Sequence, residues 1–129
     1  GWGPCSRPPP PTRLVLTNAS GLDIASLTDG DIIDLNRLGR YLDVRAETYG
    51  SVGSVVFQLD GQDFCSHKRC FENLPPYIMN GDNSEGLHGD WDWATLAGGA
   101  HTISAHACDR ANGAPPCSEW LSVRVTVQR

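Results

Sequence analysis

The sequence predicts an all-β sandwich, and three observations predict it. Short runs alternate apolar and polar residues with period two, turn residues interrupt them at regular intervals, and no stretch of the 129 residues carries a helical period. The 14 Gly and 9 Pro supply the turns. A chain of this length forms one domain with a real core. The expected count is seven to nine short strands.

Residues 1–11, GWGPCSRPPPP, are not domain-like. Pro8, Pro9, Pro10 and Pro11 favour a polyproline II rod without backbone donors, so this arm or linker cannot join a sheet there. Two readings stand: a semi-rigid tail, or an arm tipped with Trp2 and Cys5 that docks on another subunit. Hydroxylation and O-glycosylation of such prolines, as in plants and green algae, are permitted by the sequence. Residues 12–129 are the domain.

The first strand is RLVLT over 13–17, and Asn18-Ala19-Ser20 after it is an N-glycosylation sequon, a short pattern that also arises by chance. Ile24 and Leu27 mark a short apolar piece, and residues 31–35, DIIDL, the next strand. The strongest patterning runs from 41 to 61. Leu42, Val44 and Ala46 alternate with Asp43, Arg45 and Glu47; beyond a Gly/Ser-rich turn, Val55, Phe57 and Leu59 alternate with Ser54, Val56, Gln58 and Asp60. Two such runs suggest a hairpin that needs a second sheet over its apolar face. Strand-like pieces follow at 71–73 and 76–80 around the Pro75-Pro76 break. A polar loop, 81–90, leads to Trp91-Asp92-Trp93. Ile103, Ala105 and Ala107 alternate with Thr102, Ser104 and His106; Leu121, Val123, Val125 and Val127 alternate with Ser122, Arg124 and Thr126 to close the fold.

Five cysteines point to an oxidising compartment and a secreted chain. Cys65 and Cys70 flank a short loop, as do Cys108 and Cys117, so local pairing is preferred over the two cross-pairings. Each such loop closure stabilises by roughly 2–3 kcal/mol on chain-entropy grounds. Buried reduced thiols are the alternative, and neither spacing matches a paired zinc motif. Cys5 is left over, free or paired between chains.

The formal charge of −5 argues against a nucleic-acid partner, and no apolar run approaches a membrane span. His67, His88, His101 and His106 have no metal-site spacing, and no G-x-S-x-G elbow occurs. Asp82, Asn83, Glu85, Asp90 and Asp92 form an oxygen-rich cluster compatible with calcium, without the EF-hand order; a solvated loop is the plainer reading. Beyond that, no cofactor is expected. Trp91 and Trp93 have three readings: packing over the end of the sandwich, a subunit contact, or a stacking platform for a sugar.

Several segments taken together, RAET followed by GSVVFQLDG, ENLPPYIMNGD, LAGGAHTISAHACDRANG and LSVRVTV, resemble an Ig-like β-sandwich module of secreted and surface proteins from bacteria and some algae. The resemblance covers roughly residues 14–127. It implies an Ig-like antiparallel sandwich and an extracellular, non-catalytic module, and it carries no catalytic residues. The two cysteine-flanked loops and the polyproline depart from the usual pattern. They favour a module acting alone or with copies of itself, in a fibre or surface matrix. Carbohydrate binding through Trp91 and Trp93 is the alternative.

Overall fold

A computed structural model of the chain describes residues 7–65, 69–80 and 91–129. Among them, nine strands form two sheets. Strands β1 (Arg13–Asn18), β2 (Asp23–Ser26), β4 (Leu42–Glu47) and β7 (Tyr77–Ile78) make an antiparallel sheet in the order β2-β1-β4-β7. Strands β3 (Asp31–Asp34), β5 (Ser54–Leu59), β6 (Gln62–Asp63), β8 (Gly99–Cys108) and β9 (Leu121–Gln128) make the other, in the order β3-β9-β8-β5-β6. The β3–β9 pair is parallel, the one exception to the antiparallel expectation.

The patterned runs became strands, but β4 and β5 are not a hairpin. Each lies in a different sheet: β4 pairs with β1 and β7, and β5 with β8 and β6. Period-two patterning settles which face of a strand is buried and leaves its edge partner open. The link over residues 48–53 therefore crosses between sheets, and the apolar faces of β4 and β5 meet across the interior. The expected strand 31–35 ends one residue early for a local reason. The Asp34 side chain accepts from Asn36 N and caps a single helical turn, α1 (Leu35–Leu38).

The core is filled by Leu14, Leu16, Leu42, Val44 and Ala46 from one sheet and by Val55, Phe57, Ile103, Ala105, Val123, Val125 and Val127 from the other. Each fully buried aliphatic side chain of this size stabilises by about 1.5–3 kcal/mol. Among the described residues Trp93 is the largest fully buried side chain.

Val56, expected on the solvent face of β5, is also buried, because residues 109–117 fold over it. Ser54 ties that loop down: its hydroxyl donates to Arg110 O (2.6 Å) and accepts from Gly113 N (2.9 Å). Asn73 and Asn112 add a reciprocal pair of bonds at 2.9 and 2.8 Å.

The prolines do not stand off the domain. Pro8 and Pro11 are buried, and Pro9 packs beside Gly50. Thr12 N then donates to Glu47 O, leading the chain into β1. The division at residue 11 thus falls later than the packing does, since Pro8 already belongs to the body. Trp2 and Cys5 lie outside the described residues.

Candidate functional site

Three groups of side chains stand out once the strands are in place. The first is aromatic, at the end where β4 begins. Phe64, Trp91 and Trp93 stack in series with ring centroids 4.6 Å apart at each step and tilts of 51° and 45°. Trp93 is the core member: it is 0% exposed, and its indole Nε1 donates to Leu42 O at 2.9 Å. The expectation of two same-side aromatics on a strand is therefore corrected. Asp92 bridges to Tyr41, its side chain accepts from Ala94 N, and the chain turns into a 3-10 helix over Trp93–Thr95. That turn drives Trp93 inward and leaves Trp91 half-buried above it.

Asp92 is equally committed. It pairs with Arg40, and hydrogen bonding from Arg40 is the main influence holding its carboxyl below the usual range. Its oxygens serve Arg40 and the turn. Asp82, Asn83, Glu85 and Asp90, with His67 and His88, lie outside the described residues.

The second group paves the outer face of the β2-β1-β4 sheet. Arg13 bonds Glu47 and Ser26, while Arg45 bonds Asp23 and Glu47. Hydrogen bonds from Arg13 and then Arg45 bring the Glu47 carboxyl down to about 2. Period-two alternation put these charges on one face, but only the register (Arg13 opposite Glu47) makes them partners.

The third group is His101. Its Nδ1 lies 2.7 Å from Asp60 Oδ2 and its Nε2 lies 2.7 Å from Ala97 O. Both partners are acceptors, so only the doubly protonated ring satisfies them. Burial is the largest single influence and disfavours the charged ring. The bonds to Ala97 and Asp60 outweigh it, and the His101 pKa is raised. A raised histidine pKa stabilises the fold fully below the ordinary value, near 6.5, and that stability is lost as pH rises through the folded-state pKa. The melting temperature is therefore expected to fall above about pH 6.5. A His101→Gln chain, melted over the same pH series, is expected to lack that limb; an unchanged slope would show that another group is responsible.

The disulfides are Cys65–Cys70 and Cys108–Cys117, the preferred local pairing. Asn18 is the last residue of β1, and its side-chain oxygen caps the turn that follows, accepting from Ser20 N (2.9 Å) and Leu22 N (3.0 Å). Among the described residues no helix is long and apolar enough to cross a membrane.

The chain matches no family model, no curated protein and no solved structure. The side chains alone carry the functional reading.

Sequence reasoning missed one cluster. His106 stacks flat on Trp120, with centroids 3.7 Å apart and planes 10° from parallel, on the outer face of the β8–β9 sheet. The signal was present: His106 and Cys108 are two apart in an alternating run and must share a face.

Proposed function

We propose that the chain is a non-catalytic, secreted structural module of immunoglobulin type that associates with copies of itself through its N-terminal segment. The strand order supports the type. One sheet runs β2-β1-β4-β7, and the other runs β3-β9-β8-β5-β6 with a parallel first pair; apart from the extra edge strand β2, the order is like the two sheets of an immunoglobulin domain. Unlike an antibody domain, its second disulfide joins the end of β8 to the following loop rather than the two sheets. The disulfides fit an oxidising, extracellular setting.

The observation that carries self-association is a pair of open sheet edges. Among the described residues nothing pairs with the outer edge of β2 or of β3. Beside those edges Leu22 is 64% exposed and Ile32 60% exposed. Unpaired strand edges are templates for another chain, and apolar side chains beside them supply the contact area. Residues 1–7 reach at most about 25 Å when extended. They carry Trp2 as an anchor and Cys5 as a cross-link. An arm of one copy laid on the edge of the next is a head-to-tail contact, which propagates a filament.

Because Pro8 and Pro11 pack on the body, the informative deletion removes residues 1–7 and stops there. Sedimentation is expected to show polymer for the full chain and monomer for the deletion, with the same melting temperature. Ile32→Lys is expected to weaken assembly at least tenfold. Polymer that survives both changes would overturn the reading.

Glycan binding is left with one aromatic. Half-buried Trp91 sits between Phe64 and Trp93, and only the part of its ring that those two leave exposed is available to a sugar. Glycan-array signal that disappears with Trp91→Ala while the arm deletion leaves the chain's assembly state unchanged would favour that function instead.

A further inference from the structure

We infer that His106, Cys108 and Cys117 form a binding site for a soft d¹⁰ metal ion, Zn²⁺ or Cu⁺, that is closed while the cysteines are joined and opens when they are reduced. Their ligand atoms all lie within 4.8 Å of one another. His106 and Cys108 project from the same face of β8, two residues apart, and Cys117 faces Cys108 as its antiparallel bridge partner. His106 Nε2 points at Cys108 Sγ from 3.8 Å. The ring is held on one side by the Trp120 stack, and Ser118 presents its backbone to it. An imidazole whose plane is fixed and whose Nε2 faces sulfur is oriented as a metal ligand is.

Two thiolates and one imidazole supply three of four tetrahedral positions, with the half-exposed side at Cys117 open for a fourth ligand. With Zn–S bonds of about 2.3 Å, tetrahedral sulfurs stand roughly 3.7 Å apart, so the two sulfurs, directly bonded here, move apart on reduction. The reaction balances simply. A phosphine or dithiol reductant delivers two electrons, two protons are taken up, and the S–S bond becomes two thiols. The ion then displaces both protons and takes the Nε2 lone pair, giving a neutral site with Zn²⁺ and one of charge −1 with Cu⁺. Exchange with a small-molecule disulfide, which takes the two electrons and two protons and leaves as two thiols, re-forms the S–S bond and expels the ion.

The loop does not depend on the disulfide alone for its position. Ser54 holds Arg110 and Gly113, Asn73 holds Asn112, and Ser118 exchanges bonds with Ala107 through its N–H (2.7 Å) and its hydroxyl (3.0 Å). These tethers bracket Cys117 on both sides, so the ligands stay together after reduction.

The test uses the full chain carrying Cys5→Ser, Cys65→Ser and Cys70→Ser, so that one pair of sulfurs remains. After reduction with a water-soluble phosphine, Co²⁺ is titrated in as a spectroscopic stand-in for Zn²⁺. One ion per chain is expected, with thiolate-to-cobalt charge transfer and intense tetrahedral visible bands, none of it before reduction, and Zn²⁺ should displace it. His106→Gln is expected to weaken binding at least tenfold with the β-sheet circular dichroism unchanged, while His101→Gln leaves affinity as it was. Absence of cobalt bands in the reduced chain, equal affinity with His106→Gln, or loss of the sheet signal on reduction would each overturn the assignment.

Discussion

Replacing Trp93 by Ala is expected to cost about 3–5 kcal/mol, the range for emptying a large aromatic site in a packed core. Among the described residues Trp93 is the largest fully buried side chain, and it sits between Trp91 and the start of β4. Two contributions can be separated. Trp93→Phe keeps most of the volume but removes the donor to Leu42 O, leaving a buried carbonyl unsatisfied at about 1–3 kcal/mol. Denaturant titration of both variants should show the Ala change as the larger of the two, each with an unchanged m-value. A Trp93→Ala chain that melts like the parent would place this residue at the surface, and the stacking-platform reading would return.

Gly53→Val is the second large effect, expected at about 2–4 kcal/mol. A Cβ on Gly53 would stand 2.4 Å from Asp109 O and 2.7 Å from Arg110 C. Those are backbone atoms of the loop that covers Val56, and Ser54 clamps the same stretch by its bond to Arg110 O. The strand therefore cannot yield locally without lifting the loop from Val56. Gly98→Ala is the control. Its nearest neighbours stand at 3.5 Å or more, led by the Arg129 side chain, so stability is expected to stay within about 0.5 kcal/mol. Thermal melts of both decide the matter; similar losses at both positions would mean that the close backbone approach at Gly53 is not what limits it.

The two variants probe the two ends of one design. At one end an aromatic residue after an acidic cap plugs the sandwich; at the other, a disulfide-closed loop plugs the outer face of β5. The open strand edges and the His106 cluster are what the closed core leaves available at the surface. The pH-dependent His101 pin joins the Asp60 turn after β5 to the start of β8 and to Ala97.

Much of the fold was legible because burial alternates with the backbone. Leu42, Val44, Ala46, Val55, Phe57, Val123, Val125 and Val127 were assigned to the interior from pattern alone, and all are buried. The local cysteine pairs were legible from loop length. Trp93 was not, because period two assumes a strand, and the Asp92 cap turns the chain before the second ring. Val56 was not, because its cover comes from residues some fifty positions later. His106, Cys108 and Cys117 were legible only in part: alternation puts the first two on one face, while the third arrives through the pairing of separate segments.

By itself, then, the sequence determined the class of fold, the inward face of each main strand, the local cysteine loops and the placing of turns, since these depend on neighbours within a few residues. Only the tertiary structure decided that β4 and β5 belong to opposite sheets, that Pro8 and Pro11 pack on the domain, and that a histidine and two cysteines converge. The reason is physical: a strand offers two equivalent hydrogen-bonding edges, and which partner takes each is settled by the competition of all strands for a closed core.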